Sequence, residues 1–173
     1  MRVPSVAHLI RRNFLDAIHH ILKYILRDIT LSLYDGAHVA TDLERIRGTV
    51  PQDADLLDAF LDEVGGSQDA IWAMSSWNAE HPDPLFNVRA IGCCHTCGYN
   101  VYRIRPLRML WRYRIIYAFD ARMDEFHVLA IVRKKHHDAP AAIDPDSYGY
   151  EPTHPISQRV RDEYDHLRIT RLP

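Results

Sequence analysis

Cysteine is scarce in this chain and confined to one place. All three thiols, Cys93, Cys94 and Cys97, lie within five consecutive positions. So few, so close together, cannot lay out a disulfide framework, which fits a reducing, cytoplasmic setting. Also missing is any run of about 18 uninterrupted apolar residues, the length a membrane span requires. Arg11 and Arg12 precede an apolar stretch, but His19, His20 and Lys23 break it and no small-residue cleavage site follows, so a signal peptide is not expected. Internal repeats are absent as well. Net charge is small, at −2, and by itself excludes no partner.

The charge that is present is segregated. From Asp35 to Pro84, eleven acids face two bases, Arg45 and Arg47. From Tyr99 to Lys135, nine bases face three acids, Asp120, Asp124 and Glu125. An almost neutral total therefore hides an acidic half and a basic half.

Apolar periodicity assigns the acidic half to helices. Ser5–Leu26 shows three- and four-residue spacing and predicts an N-terminal helical extension over residues 1–27. It either docks on the body or stands outside a domain that begins near Asp28. Ile29–Leu33 alternates like a strand. His38–Arg47, Asp53–Glu63 and Ser67–Ala79 each carry a helical apolar face, and His81-Pro82-Asp83-Pro84 stops the last of them. Leu85–Ile91 leads into the basic half as an extended segment around Arg89.

The basic half reads as a hairpin and a third strand. Val101-Tyr102-Arg103-Ile104-Arg105 alternates, as does Trp111-Arg112-Tyr113-Arg114-Ile115-Ile116-Tyr117. Phe126–Val132 runs into Arg133-Lys134-Lys135-His136-His137. Alternate strand residues share a face. Arg103 and Arg105 should therefore point one way, opposite Tyr102 and Ile104, and Arg112 should share a face with Arg114. Such a surface suits polyphosphate, because each guanidinium donates to two phosphate oxygens at once. Residues 139–147 predict a loop, and Pro155–Leu167 a C-terminal helix entered through a first-turn proline. The order of elements gives an α+β fold with a twisted antiparallel sheet, helices on one side and a C-terminal helix.

These strand motifs, in this order, resemble the RelE/ParE toxin superfamily. Tyr113–Tyr117 followed by Ala118-Phe119-Asp120 is the most telling segment, being similar to the central strand of such toxins. The resemblance covers residues 28–150, leaving 151–173 as a C-terminal helix and tail. It implies the toxin of a type II toxin–antitoxin pair, acting as a metal-independent, ribosome-dependent mRNA endoribonuclease. The implied partners are a cognate antitoxin, the ribosome and mRNA. The alternatives are a non-enzymatic inhibitor of DNA gyrase, as in the ParE branch, or an inactive homologue that only binds antitoxin. Carried onto this chain, Arg103, Arg105, Arg112 and Arg133 are the substrate-binding candidates. Arg114, Lys134, Lys135, His136 and a late tyrosine, Tyr148 or else Tyr150, are the catalytic ones.

Two further readings concern side chains with a second possible use. Tyr102, Tyr113 and Tyr117 are candidates for stacking on bases, though strand tyrosines more often pack in a sheet. Cys94-His95-Thr96-Cys97 has zinc-knuckle spacing. No second cysteine pair completes it, so a turn between two extended segments is expected, with no metal and no cofactor.

Overall fold

The computed structural model describes residues 31–76, 85–136 and 147–173. The expected N-terminal extension, His137 and most of the 139–147 loop lie outside them. The described elements are β1 (Ser32–Asp35), α1 (Val39–Arg47), α2 (Pro51–Gly65), α3 (Gln68–Met74), β2 (Phe86–Ala90), α4 (Gly92–Thr96), β3 (Val101–Pro106), β4 (Tyr113–Asp120), β5 (Glu125–Lys134), β6 (Ser147–Tyr148) and α5 (Pro155–His166). They form an α+β fold around an open sheet of order β1-β5-β4-β3-β2.

The sheet is mixed, which corrects the expectation of a purely antiparallel one. The meander β2-β3-β4-β5 is antiparallel. β1 and β6 both pair with β5 in parallel, at Ser32↔Glu125 and Lys134↔Tyr148. Each reaches β5 after a long excursion of chain, and long connections permit parallel pairing where tight hairpins do not.

Both faces of the sheet are covered. Val88, Ile104, Ile115 and Ile131 are in register and share one face. α2 and α3 lie on it. The Phe60 ring meets Phe86 edge-on at 6.0 Å, and the Tyr117 hydroxyl donates to the Met74 carbonyl at 2.7 Å. On the other face Val101, Ile116, Ala118 and Ala130 pack with Ile156, Val160 and Tyr164 of α5 and Cys94 of α4. Pro155 starts α5, and His154 caps it by accepting from the Ile156 N–H at 3.1 Å.

Between β1 and β6 the outer edge of β5 has no strand among the described residues, and Asp42 of α1 closes part of that gap. Its Oδ2 accepts from the Ile131 N–H at 2.8 Å. Both carboxylate oxygens take the fork of Arg159 from α5, at 3.0 and 2.6 Å. Arg45 donates to the Ile131 carbonyl at 3.3 Å. One buried carboxylate thus ties a helix, a strand edge and the C-terminal helix together.

The remaining differences from the sequence reading are local. The cysteine segment forms the short helix α4 rather than a plain turn. β4 begins at Tyr113 instead of Trp111, because a 3-10 turn at Arg108–Leu110 and the turn after it occupy the connection.

Candidate functional site

The face packed by α5 is apolar at its centre and basic at one end. The register of β2 and β3 pairs Arg89 with Arg103 and Asn87 with Arg105. Arg103 pairs with Ile116 on β4, which places Arg114 on the same face, two residues along. Arg114 pairs with Val132, so Lys134 follows on that face as well. Tyr150 joins them from the segment after β6. Its backbone is in the left-handed region at φ 72°, where a non-glycine residue is uncommon.

Arg114 is the most constrained of these groups. It is only 7% exposed. Its Nη1 donates to the carbonyls of Trp111 at 2.7 Å and Tyr113 at 2.5 Å, and among the described residues its buried Nε has no hydrogen-bond partner. Burial lowers its pKa, Tyr150 opposes that shift, and the charges of Arg103 and Arg105 add to it. A guanidinium stays protonated regardless. The result is a fixed, partly unsatisfied cation among like charges, an arrangement relieved by an anion.

Tyr150 stands at the centre. The Arg103 guanidinium lies 5.3 Å from its ring centroid and the Lys134 Nζ 4.9 Å, both within cation–π range. Its hydroxyl is buried and makes no well-formed hydrogen bond among the described residues. Burial pushes the phenol pKa up, while Arg103 and Arg114 pull it down without cancelling that effect. The phenol is therefore neutral at physiological pH and has a proton to give. Lys134 shifts the opposite way. Burial lowers its pKa most, then the charges of Arg114 and Arg103, with Glu151 working against them. An ammonium with a lowered pKa releases its proton more readily.

The other residues nominated from sequence lie elsewhere or have other partners. Arg112 does not share a face with Arg114, contrary to expectation. Lying in the turn before β4, it reaches Asp53 at the start of α2 at 2.9 Å, next to the Tyr113 hydroxyl on the same carboxylate. Arg133 is paired with Tyr113 and sits on that opposite face. Lys135 contacts Glu151 at 3.3 Å. His136 is exposed just beyond β5. Tyr148 is 1% exposed and shares a 2.6 Å hydrogen bond with Ser157 inside the α5 core. Of the two late tyrosines, Tyr150 is the one beside the arginines.

Two neighbours were not nominated from sequence. Asn87 and Arg89 share the face of Arg105 and Arg103 through the β2 pairing. The period-two spacing of Asn87, Arg89 and the core residues Phe86 and Val88 carried that signal, but nothing in the sequence sets the register of β2 against β3. The three cysteines are free, and burial with the neighbouring Cys93 pushes the Cys94 thiol up to about 12. Among the described residues, no group of three or more His, Cys, Asp or Glu side chains is placed to hold a metal ion. Nor is any helix of the described residues long and apolar enough to cross a membrane.

No family model matches this chain, and neither does any curated protein or solved structure.

Proposed function

We propose that this chain is a RelE/ParE-like toxin that binds RNA through its basic cluster and cleaves mRNA without a metal. One observation carries the reading: Arg103, Arg105, Arg114, Lys134 and Tyr150 converge on one end of one sheet face, around a nine-tenths-buried arginine whose Nε has no hydrogen-bond partner among the described residues. A scissile phosphate offers the anion such a set lacks.

The reaction follows from what each group can do. The substrate 2′-hydroxyl attacks the adjacent phosphorus and passes its proton to solvent water. The bond to the 5′-oxygen breaks, leaving a 2′,3′-cyclic phosphate and a 5′-hydroxyl. Arg103 and Arg114 stabilise the extra negative charge of the phosphorane. Lys134 gives a proton to the departing 5′-oxygen, its lowered pKa bringing it closer to the operating pH. Neutral Tyr150 orients the Arg103 and Arg114 guanidinium groups beside it. The acidic helices α1–α3 lie away from the cluster on the opposite face or at the β5 edge, so the two halves of the charge pattern do not cancel at the site. A cognate antitoxin would cover this cluster, and the ribosome would present the mRNA.

The test is primer extension on mRNA from a reconstituted translation reaction, with wild type, Arg103→Ala and Arg114→Lys. Ribosome-dependent cuts that fall by about a hundredfold or more in either variant are expected. Intact mRNA with folded wild-type protein would refute the nuclease reading. A supercoiling assay on the same preparation then reports on the gyrase alternative.

A further inference from the structure

The tyrosines that alternation marked for base stacking are not available for it. Tyr117 is fully buried and bonded to Met74. Tyr113 is 4% exposed and donates to Asp53. Tyr102 lies flat against Tyr117, with ring centroids 5.6 Å apart and 19° between planes. The exposed aromatic next to the cluster is Trp111, which is 58% exposed and follows the 62%-exposed Met109 in the β3–β4 connection.

That connection begins just after Arg105 and ends just before Arg114, so cations of the cluster flank it on both sides. Its backbone is also fastened to the site. The Trp111 carbonyl accepts from Arg114 Nη1 at 2.7 Å, and Leu110 beside it is buried. The indole therefore projects from a fixed point within one side-chain length of the guanidinium. Within a nucleotide, a base stands about that far from its own phosphate.

We propose that Trp111 is a stacking platform for an unpaired nucleobase adjoining the phosphate held by Arg103 and Arg114, which makes single-stranded RNA the substrate class. The proposal rests on the phosphate-binding role assigned above. A base inside a duplex has both faces occupied by its neighbours, so an indole platform selects unstacked strands. Stacking on an aromatic is tolerant of base identity, because every base presents a π face. The cluster supplies charge and salt dependence, and Trp111 supplies the requirement for a base.

The experiment measures fluorescence anisotropy of two labelled oligomers of equal length, a single-stranded oligoribonucleotide and its fully abasic counterpart. Each is titrated with full-length wild type, Trp111→Ala, Trp111→Phe and Arg103→Ala. Trp111→Ala is expected to weaken binding of the base-bearing strand by about tenfold and to leave the abasic strand unchanged. Trp111→Phe restores most of the loss, and Arg103→Ala weakens both strands. Unchanged affinity of Trp111→Ala for the base-bearing strand, with Arg103 still required, would overturn the platform and leave the phosphate site standing. An equal loss on both strands would also overturn it, since Trp111 would then act only by supporting the Arg114 turn. Failure of wild type to bind either strand would overturn the phosphate site and the platform together.

Discussion

Replacing Asp42 by alanine should be among the most damaging single changes in the described fold. The carboxylate is 2% exposed and serves three donors, the Ile131 N–H and both forks of Arg159. Alanine leaves the Ile131 N–H buried and unpaired, at a cost of about 1–3 kcal/mol. It also strands the Arg159 guanidinium. That side chain is 25% exposed and recovers some hydration, so its share is held to about 1–2 kcal/mol. The total of about 4 kcal/mol is a large fraction of the 5–15 kcal/mol typical of a domain. Arg159→Ala should cost less, about 2 kcal/mol, because Asp42 keeps Ile131 and has Arg45 at 3.7 Å. The double variant should be less destabilised than the two single losses added together, by about 2 kcal/mol. Urea unfolding followed by circular dichroism reads all three. A loss under about 1 kcal/mol for Asp42→Ala, or simple additivity of the pair, would refute the account of the α1–β5–α5 tie.

Two other predictions concern individual polar groups. The two late tyrosines should respond in opposite ways. Tyr148→Phe removes the Ser157 hydrogen bond and should cost about 1 kcal/mol of stability with RNA cleavage unchanged. Tyr150→Phe removes a buried hydroxyl that makes no well-formed hydrogen bond among the described residues, so stability should hold or rise while cleavage falls by about tenfold or more. Thermal melts and single-turnover cleavage separate the two effects. Asp35→Asn should raise the melting temperature at neutral pH. Burial chiefly, then Asp58 and Asp62, raises the Asp35 pKa, so the folded state binds its proton more tightly than the unfolded chain does. The penalty is present above the folded pKa and is relieved as pH falls through it. The gain from Asn is less than about 0.5 kcal/mol after solvent screening and should shrink on acidification; a gain that persists in acid would refute the assignment.

Much of the architecture was legible because hydrophobic period tracks secondary structure. The expected strand at Val101–Arg105 matches β3, and the expected helix at Pro155–Leu167 matches α5 within a residue. Alternation also put Arg103 and Arg105 opposite the core residue Ile104. It failed for Arg112, since alternation holds only inside a strand and β4 starts one residue later. The parallel pairings of β1 and β6 were not legible, because partner choice across a long connection leaves no local trace. Tyr148 and Tyr150 share a parity and differ only through the left-handed turn at Tyr150, which a tyrosine side chain does not announce. Trp111 was passed over because it was read as part of an alternating strand rather than as part of the turn before it.

The parallel pairing of β1 with β5 also sets an order in time. β1 is among the first described segments to be made, and its partner strand follows only after α1–α4 and the whole β2–β3–β4 meander. Sheet closure of that kind relies on contacts distant in sequence, which form late and slowly. The acidic helices therefore leave the ribosome well before the sheet can close over them. Tyr150, the last member of the basic cluster, arrives only after β6. A growing chain would carry its arginines past the ribosomal RNA unassembled, and would complete the basic cluster only once Tyr150 has been made.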